Sequence, residues 1–329
     1  MGVRPRGERL SPIDVRPFLL KPTDPVIDAL TRMSANRFGC GVIADDNRTV
    51  LGTLLDAEVR RALVAGTATL DTPVDALMVK GASRRKRLPV ALAVEGGRLV
   101  DVEPVPADGP APIAMVMAGG RGKRLRPYTD KVPKPLLTVG RSTIIERIMK
   151  ALADSGVSDI YLALNYKAKM FERKLGKAED RIGARIHFLL EDEPLGTGGP
   201  LSLLPEKPTG PLLVTNADII TRLHYGRLFE FHRFHGGAVT LAAMEHTSHI
   251  PYGVLHTEGD RLTAQEEKPE VRVLVNAGMY VLDPSVLSLV EPGKFLDMPD
   301  LLARAMKKRK SVHVFRVVEK WMDSGTPEE

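Results

Sequence analysis

Residues 113–117 read Ile-Ala-Met-Val-Met, and the chain continues Ala118-Gly-Gly-Arg-Gly-Lys-Arg-Leu-Arg-Pro-Tyr-Thr129. Five apolar residues in a row predict a strand buried on both faces, as in a parallel sheet. The strand runs straight into glycines at 119, 120 and 122, then into Lys123 and Arg124. That predicts a loop able to wrap an anion, because glycine lets the backbone approach closely and successive N–H groups form a concave cradle. Two familiar loops are excluded by spacing. A Walker loop needs Gly, four residues, then Gly-Lys-Ser/Thr, but Arg124 follows Lys123. A dinucleotide fingerprint needs a third glycine three after Gly122, where Leu125 stands.

Downstream, Ser142–Ser155 reads as an amphipathic helix, Asp159–Leu164 and Ile186–Leu190 as strands, and Gly199–Leu204 as a short helix. Leu212–Val214 reads as a strand leading to Asn216-Ala-Asp218. Strands alternating with helices predict an open, mostly parallel, Rossmann-like α/β sheet with helices on both faces. Such sheets bind ligands beyond the carboxyl ends of their strands, which is where the polar clusters fall.

Upstream, Asp101 to Pro112 holds prolines at 104, 106, 110 and 112. Proline fixes φ and lacks a donor, so this stretch reads as a linker, with 109–112 as its end. Before it, Thr23 to Met33 reads as a helix capped by Thr23 or Asp24, with Val26, Ala29, Leu30 and Met33 on one face. Strands follow at Gly41–Ala44 and Thr49–Leu54, then a helix from Asp56 to Ala65. A second strand–turn–strand spans Val90–Val94 and Leu99–Val102.

The chain has 329 residues, 43% apolar and 27% charged, which suits about two globular domains. No apolar run approaches the roughly 20 residues of a membrane span, and the first dozen residues lack the apolar region of a secretory signal. With Cys40 alone, neither an intrachain disulfide nor a cysteine zinc site can form, and a reducing cytoplasm is the expected setting. The net charge of +6 divides as +2 over residues 1–110 and +4 over the rest, which argues against a nucleic-acid binder. The basic runs Arg84–Arg87 and Lys307–Lys310 read as solvated surface, and so do His232 and His235 on a helical stretch.

The segment MAGGRGKRLRPYTDKVPKPLL, residues 117–137, resembles the signature of sugar-1-phosphate nucleotidylyltransferases, roughly GGxGxRLxPxT followed by PKPL. Further matches follow in order: EPLGTGGPL at 193–201, TNAD at 215–218, PYGVL at 251–255, EEKP at 266–269, VNAGMYVLDP at 275–284 and WMDSGTPE at 321–328. The resemblance covers essentially all of 113–329. It implies a reaction of NTP with a sugar 1-phosphate giving an NDP-sugar and pyrophosphate. The nucleophile is then an already anionic phosphate oxygen, so no Ser/His/Asp set is required. The resemblance implies that Ala118, Gly119, Gly120 and Gly122 lie along the nucleotide, with Gly196 and Thr197 in its second loop. Arg124 would hold the departing pyrophosphate, Lys134 the α-phosphate and Lys268 the sugar phosphate. Asp218 and Asp323 would bind Mg²⁺, or Mn²⁺ in its place. Gly253, Glu267 and Asn276 would accommodate the sugar. Trp321 reads as packing beside Asp323.

In this family the residue five before the glycine of the LGTGG-type loop reaches the base edge; here it is Glu191. A carboxylate only accepts hydrogen bonds, and guanine alone offers adjacent N1–H and N2–H donors to two oxygens. The surrounding LEDEPLGTGGPL also looks most like guanylyltransferases of the mannose-1-phosphate type. GTP is the expected substrate; UTP, dTTP and CTP stay open, and the sugar is not named. The competing reading is a nucleotide-binding regulatory relative that has lost turnover.

The N-terminal pattern, a helix followed by GVIADDNRTVLGTLLDAEVRRALVAG, resembles a CBS domain pair whose second copy is shortened. A CBS module before such an enzyme resembles a bacterial subgroup serving surface-polysaccharide or nonulosonate synthesis. Residues 1–108 are then a regulatory or oligomerisation module, and 113–329 the catalytic domain. A homo-oligomer and a nucleotide effector are the partners this adds. Leu55 and Glu58 stand where nucleotide-binding CBS modules often carry Ser/Thr and Asp, which disfavours the effector. Since every matched motif lies beyond the linker, a fragment from Pro112 is expected to keep catalysis. Thr326–Glu329 reads as a helix start with no helix after it.

Overall fold

A computed structural model describes residues 14–80, 88–105, 109–120, 122 and 127–323. Arg124, the run Arg84–Arg87 and the tail Thr326–Glu329 lie outside them. The chain divides into two compact units: Met1–Ala111 with Leu223–Phe234, and Pro112–Arg222 with His235–Glu329. One break lies at Ala111/Pro112, and Leu223–Phe234, well beyond it in sequence, joins the first unit.

The first unit opens with β1 (Leu19–Leu20), α1 (Val26–Ala35), β2 (Cys40–Ala44), β3 (Val50–Leu55) and α2 (Asp56–Val64). With β4 (Val79–Lys80) the strands form one sheet in the order β1-β2-β3-β4. Helix α1 buries Val26, Ala29, Leu30 and Met33, the face read from the spacing. Its start differs: Pro25 is the N-cap and no side chain caps it. Asp24 instead accepts from the Lys21 N–H at 2.9 Å, which commits its carboxylate to the preceding turn. A separate hairpin, β5 (Val90–Glu95) and β6 (Arg98–Pro104), packs Val90, Leu99 and Val102 with Phe18, Cys40 and Val42. β6 runs on to Pro104, inside the expected linker. At Pro104 it pairs with β5 alone, so a proline there removes no ladder bond from a second neighbour. Burial pushes the Cys40 thiol up to about 12, so it behaves as a small apolar side chain.

The second unit begins with β7 (Ile113–Met117), α3 (Tyr128–Lys131), the short pair β8 (Thr138–Val139) and β9 (Ser142–Thr143), and α4 (Ile144–Ala153). α4 is fixed at its start by a capping box in which Thr143 and Glu146 satisfy each other's backbone. There follow β10 (Asp159–Leu164), α5 (Ala168–Leu175), α6 (Glu179–Ile182), β11 (Arg185–Leu190), a 3-10 turn at Gly199–Leu203, β12 (Leu212–Asn216) and β13 (Ile219–Thr221). Helix α7 (Gly226–His235) belongs to the first unit up to Phe234. Its His232 is 6% exposed, not on the surface as expected. The chain then adds β14 (Val239–His249), the hairpin β15 (Gly253–Glu258) and β16 (Arg261–Glu267), β17 (Glu270–Leu282), α8 (Met298–Lys307), β18 (Val312–Val317) and β19 (Trp321–Asp323). Lys307–Arg309 are exposed at the end of α8.

Seven strands form the main sheet in the order β11-β10-β7-β12-β17-β14-β18. β11, β10, β7 and β12 are mutually parallel, as expected of strands joined by helical crossovers. β17 is antiparallel to both β12 and β14, so the sheet is mixed. One set of alternating residues, including Met115, Ala163, Val214 and Tyr280, packs with Leu301 and Ala305 of α8. The other set, including Ala114, Val116, Leu162 and Leu213, is buried as well. A sheet buried on both faces exposes function only at its strand ends. Met117 pairs with Ala163 and with Asn216, and Ala163 with Leu189, so four strands finish in register. Among the described residues, no helix is long and apolar enough to cross a membrane.

Candidate active site

A cleft of about 360 Å³ opens at those strand ends. It is lined by Ala118, Gly119, Gly120 and Gly122 after β7, by Glu191, Pro194, Gly196 and Thr197 after β11, and by Asn216 to Asp218 after β12. Lys134, Pro135 and Phe295 complete the lining.

The loop after β7 is held by its neighbours. The Ala118 N–H donates to the Ala163 carbonyl at 2.9 Å, and the Ala217 N–H to the Met117 carbonyl at 3.1 Å. A Cβ at Gly119 would stand 2.8 Å from Glu191 Oε1, so a side chain there would displace that carboxylate. The glycine therefore lets the Glu191 carboxylate lie against the loop backbone.

Glu191 is 9% exposed. Its Oε2 accepts from the Leu195 N–H at 2.8 Å, and its backbone is pinned by Leu164 O and by Asn165 Nδ2. Burial pushes its carboxyl above the usual glutamate range, and the Leu195 N–H opposes that. Asn165 and Asp297, which accepts from Thr197, escaped the sequence reading. Neither lies in a matched motif, and each acts through one hydrogen bond network closed by the fold.

On the other side, Pro133 and Pro135 flank Lys134 in a 3-10 turn and fix its backbone. The Lys134 side chain, 8% exposed, reaches inward and donates to Asp218 Oδ2 at 2.8 Å and to Asp323 Oδ1 at 3.4 Å. Asp323 is brought there by β19, which pairs with β13 so that Ile219 opposes Asp323. The Trp321 indole N–H donates to the Ala277 carbonyl at 3.0 Å and ties β19 to β17. Among the described residues, no three His, Cys, Asp or Glu side chains form a metal cluster. Asp218 and Asp323 supply two carboxylates beside one ammonium, one net negative charge.

The remaining expected residues lie elsewhere. Gly253 and Glu267 oppose each other in the exposed hairpin β15–β16. Lys268 follows it, exposed, with φ of 47°. Asn276 is exposed on β17, where its amide donates to the Tyr280 hydroxyl and its oxygen accepts from the Gly278 N–H. None of the four lines the cleft.

The chain is 37% identical over 226 residues to mannose-1-phosphate guanyltransferase 2 of Candida glabrata, covering 65% of this chain and 62% of that protein. It is 36% identical over 223 residues to mannose-1-phosphate guanyltransferase of Saccharomyces cerevisiae, covering 65% and 62%. It thus spans about 62% of the length of these curated relatives. Among solved structures, HddC from Yersinia pseudotuberculosis is 26% identical with a TM-score of 0.51, covering 66% of this chain and 95% of that one. Residues 113–329, which contain every residue of the cleft, match the family described as Nucleotidyl transferase, and the chain belongs to that family.

Proposed function

We propose that the protein transfers the guanylyl group of GTP to a sugar 1-phosphate and releases pyrophosphate. The observation that carries this reading is the buried Glu191 carboxylate, in one cleft with the glycine loop, Lys134 and Asp218. Its oxygens match the paired N1–H and N2–H donors of guanine and meet uracil or thymine poorly. The similarity to the two mannose-1-phosphate guanyltransferases supports it and makes mannose 1-phosphate the first acceptor to test.

In this reaction an oxygen of the sugar phosphate attacks the α-phosphorus. A new P–O bond forms as the bond to the bridging β-phosphate oxygen breaks, and the electron pair leaves with pyrophosphate. The nucleophile is already anionic, so the work is orientation and charge balance. The glycine loop orients the phosphates through backbone N–H groups, Lys134 faces the α-phosphate, and Arg124 offsets charge on the leaving group. Gly253, Glu267, Lys268 and Asn276 form the sugar side. Asp218 and Asp323 fit Mg²⁺ or Mn²⁺, hard cations that bind through one or two carboxylates plus substrate phosphates. Such an ion would neutralise phosphate charge and polarise the α-phosphate.

The order β1-α1-β2-β3-α2-β4 followed by a separate hairpin supports a CBS-type first unit with a reduced second copy. In this reading it serves oligomerisation more than effector binding, in a cytoplasmic enzyme. A matrix of GTP, UTP, dTTP, CTP and ATP against mannose, glucosamine and heptose 1-phosphates, read by pyrophosphate release, tests the assignment. Highest turnover with GTP is expected; preference for a pyrimidine triphosphate overturns it.

A further inference from the structure

The wall of the cleft that follows Glu191 is built from two stretches about 100 residues apart. The Leu296 N–H donates to Leu195 O, and the Gly198 and Gly199 N–H groups both donate to Leu296 O. Gly196, with φ of 80°, would carry a Cβ 2.6 Å from Leu296 O, so only glycine permits this approach. Phe295, on the second stretch, is 63% exposed and lines the cleft.

Asp297 joins the two stretches through its side chain. It stands at the N-cap of α8, where an aspartate ordinarily accepts from the first turn of its own helix. Here it makes no cap bond. One donor of that turn is missing, because Pro299 has no N–H. Asp297 Oδ1 instead accepts from both the N–H and the hydroxyl of Thr197, at 3.0 and 3.1 Å. The Thr197 hydroxyl in turn accepts from the Met298 N–H at 2.9 Å and takes over the capping. The two residues have exchanged duties: the loop caps the helix, and the helix cap holds the loop. A local rule broken in favour of a distant partner marks a site where geometry is under demand.

We propose that Asp297 is the positioning residue of the nucleotide pocket. It locks Leu195–Gly199 against Phe295–Met298, so that the Glu191 wall is set before nucleotide arrives. Asp297 need not touch the substrate; it acts through Thr197. This rests on the cleft being the nucleotide site. A pre-set wall lowers the ordering cost of binding, so its loss falls on nucleotide affinity and spares the acceptor.

The test measures kcat and both KM values by pyrophosphate release, and GTP binding by calorimetry without sugar phosphate. Wild type is compared with Asp297→Ala, Asp297→Asn, Thr197→Val and the Ala/Val double variant. Wild type is first titrated with all four ribonucleoside triphosphates. Preference for another base overturns the guanine reading alone, and Asp297 is then judged on the preferred nucleotide. Asp297→Ala should raise the KM and Kd for nucleotide about tenfold or more, with the mannose 1-phosphate KM within about twofold. Asp297→Asn should recover most of that, since an amide oxygen can accept both bonds. The double variant should lose less than the sum of the two single losses, since both changes cut the Thr197–Asp297 bonds and only Thr197→Val also removes the Met298 bond. Parallel rises in both KM values, an unchanged nucleotide KM, additive losses, or failure of Asn to recover would each overturn the proposal. If Asp297→Ala does not fold, Thr197→Val decides: it keeps the N–H bond and loses the two hydroxyl bonds, and an unchanged nucleotide KM in it overturns the proposal.

Discussion

The Lys134 ammonium lies 2.8 Å from Asp218 Oδ2, although the residues stand 84 positions apart. Asp323 approaches the same nitrogen at 3.4 Å from a strand that pairs with the one following Asp218. Asp218→Ala and Asp323→Ala should each lower turnover by about 100-fold or more, the scale of a lost electrostatic catalytic group, while the melting temperature changes little. Both carboxylates are about one third exposed, so neither is a core support. Pyrophosphate release and thermal melts check this; near-normal rates in both variants would remove the metal assignment.

On the proposed guanine reading, Glu191→Gln replaces an acceptor by a donor that would face a guanine donor. The loss should be about 1.5–3 kcal/mol, roughly 10- to 150-fold in kcat/KM for GTP, with UTP rising relative to GTP. Inosine triphosphate, lacking the N2 amino group, should already be poorer with wild type. An unchanged GTP/UTP ratio in the variant would show that Glu191 does not read the base.

The same carboxyl predicts a pH dependence. Burial holds its pKa above the usual glutamate value, so protonation sets in at a higher pH than for an exposed glutamate. In the proposed complex the protonated form would carry a donor toward guanine. The KM for GTP should therefore climb as pH falls through that raised pKa, and the Gln variant should lose this limb. A parallel climb in both proteins would assign it to another group.

In the first unit, Gly39 has φ of 59°, and a Cβ there would sit 1.7 Å from Arg227 Nη1. Arg227 is 1% exposed and pairs with Glu230 at 2.8 Å. Gly39→Ala should cost about 2–5 kcal/mol, combining a left-handed backbone with overpacking against a fixed side chain. Denaturant midpoints measure it. Because Leu223–Phe234 belongs to this unit, the 112–329 fragment should also melt well below the full chain, which qualifies the expectation that it keeps catalysis. Equal melting would show that this segment needs no N-terminal partner.

Asp159, at the start of β10, accepts from Arg185, His187 and Ser158. The Arg185 hydrogen bond, helped by His187 and Ser158, holds its carboxyl well below the usual range. A depressed carboxylate contributes stability above its unfolded pKa, about 4, and loses it as pH falls through the folded value. Asp159→Asn should therefore be less stable than wild type at neutral pH, with the gap closing below pH about 4. A gap constant with pH would assign the effect to packing.

Sequence alone determined the parts that are contiguous. β7 (Ile113–Met117) and β10 (Asp159–Leu164) have the bounds read from the sequence, the glycine loop follows directly from its residues, and Glu191 was singled out only through the resemblance to a family. The buried face of α1 was legible from its spacing. The long strands β14 and β17 were not, because their outer halves are exposed and show no buried face.

Tertiary structure decided what depends on register and closure. Inserting β17 antiparallel between β12 and β14 makes the sheet mixed, a choice of pairing rather than of local propensity. Pairing of β13 with β19 brings Asp323 to Lys134 across 189 positions. Asp297 stands at the N-cap of α8, and Leu223–Phe234 lies in sequence between two parts of the second unit. Their actual partners, Thr197 for one and the N-terminal unit for the other, are set by which backbone groups and apolar faces the fold brings together. A residue's propensity describes its own few neighbours along the chain, whereas hydrogen bonds and burial are satisfied by whatever lies within reach in space.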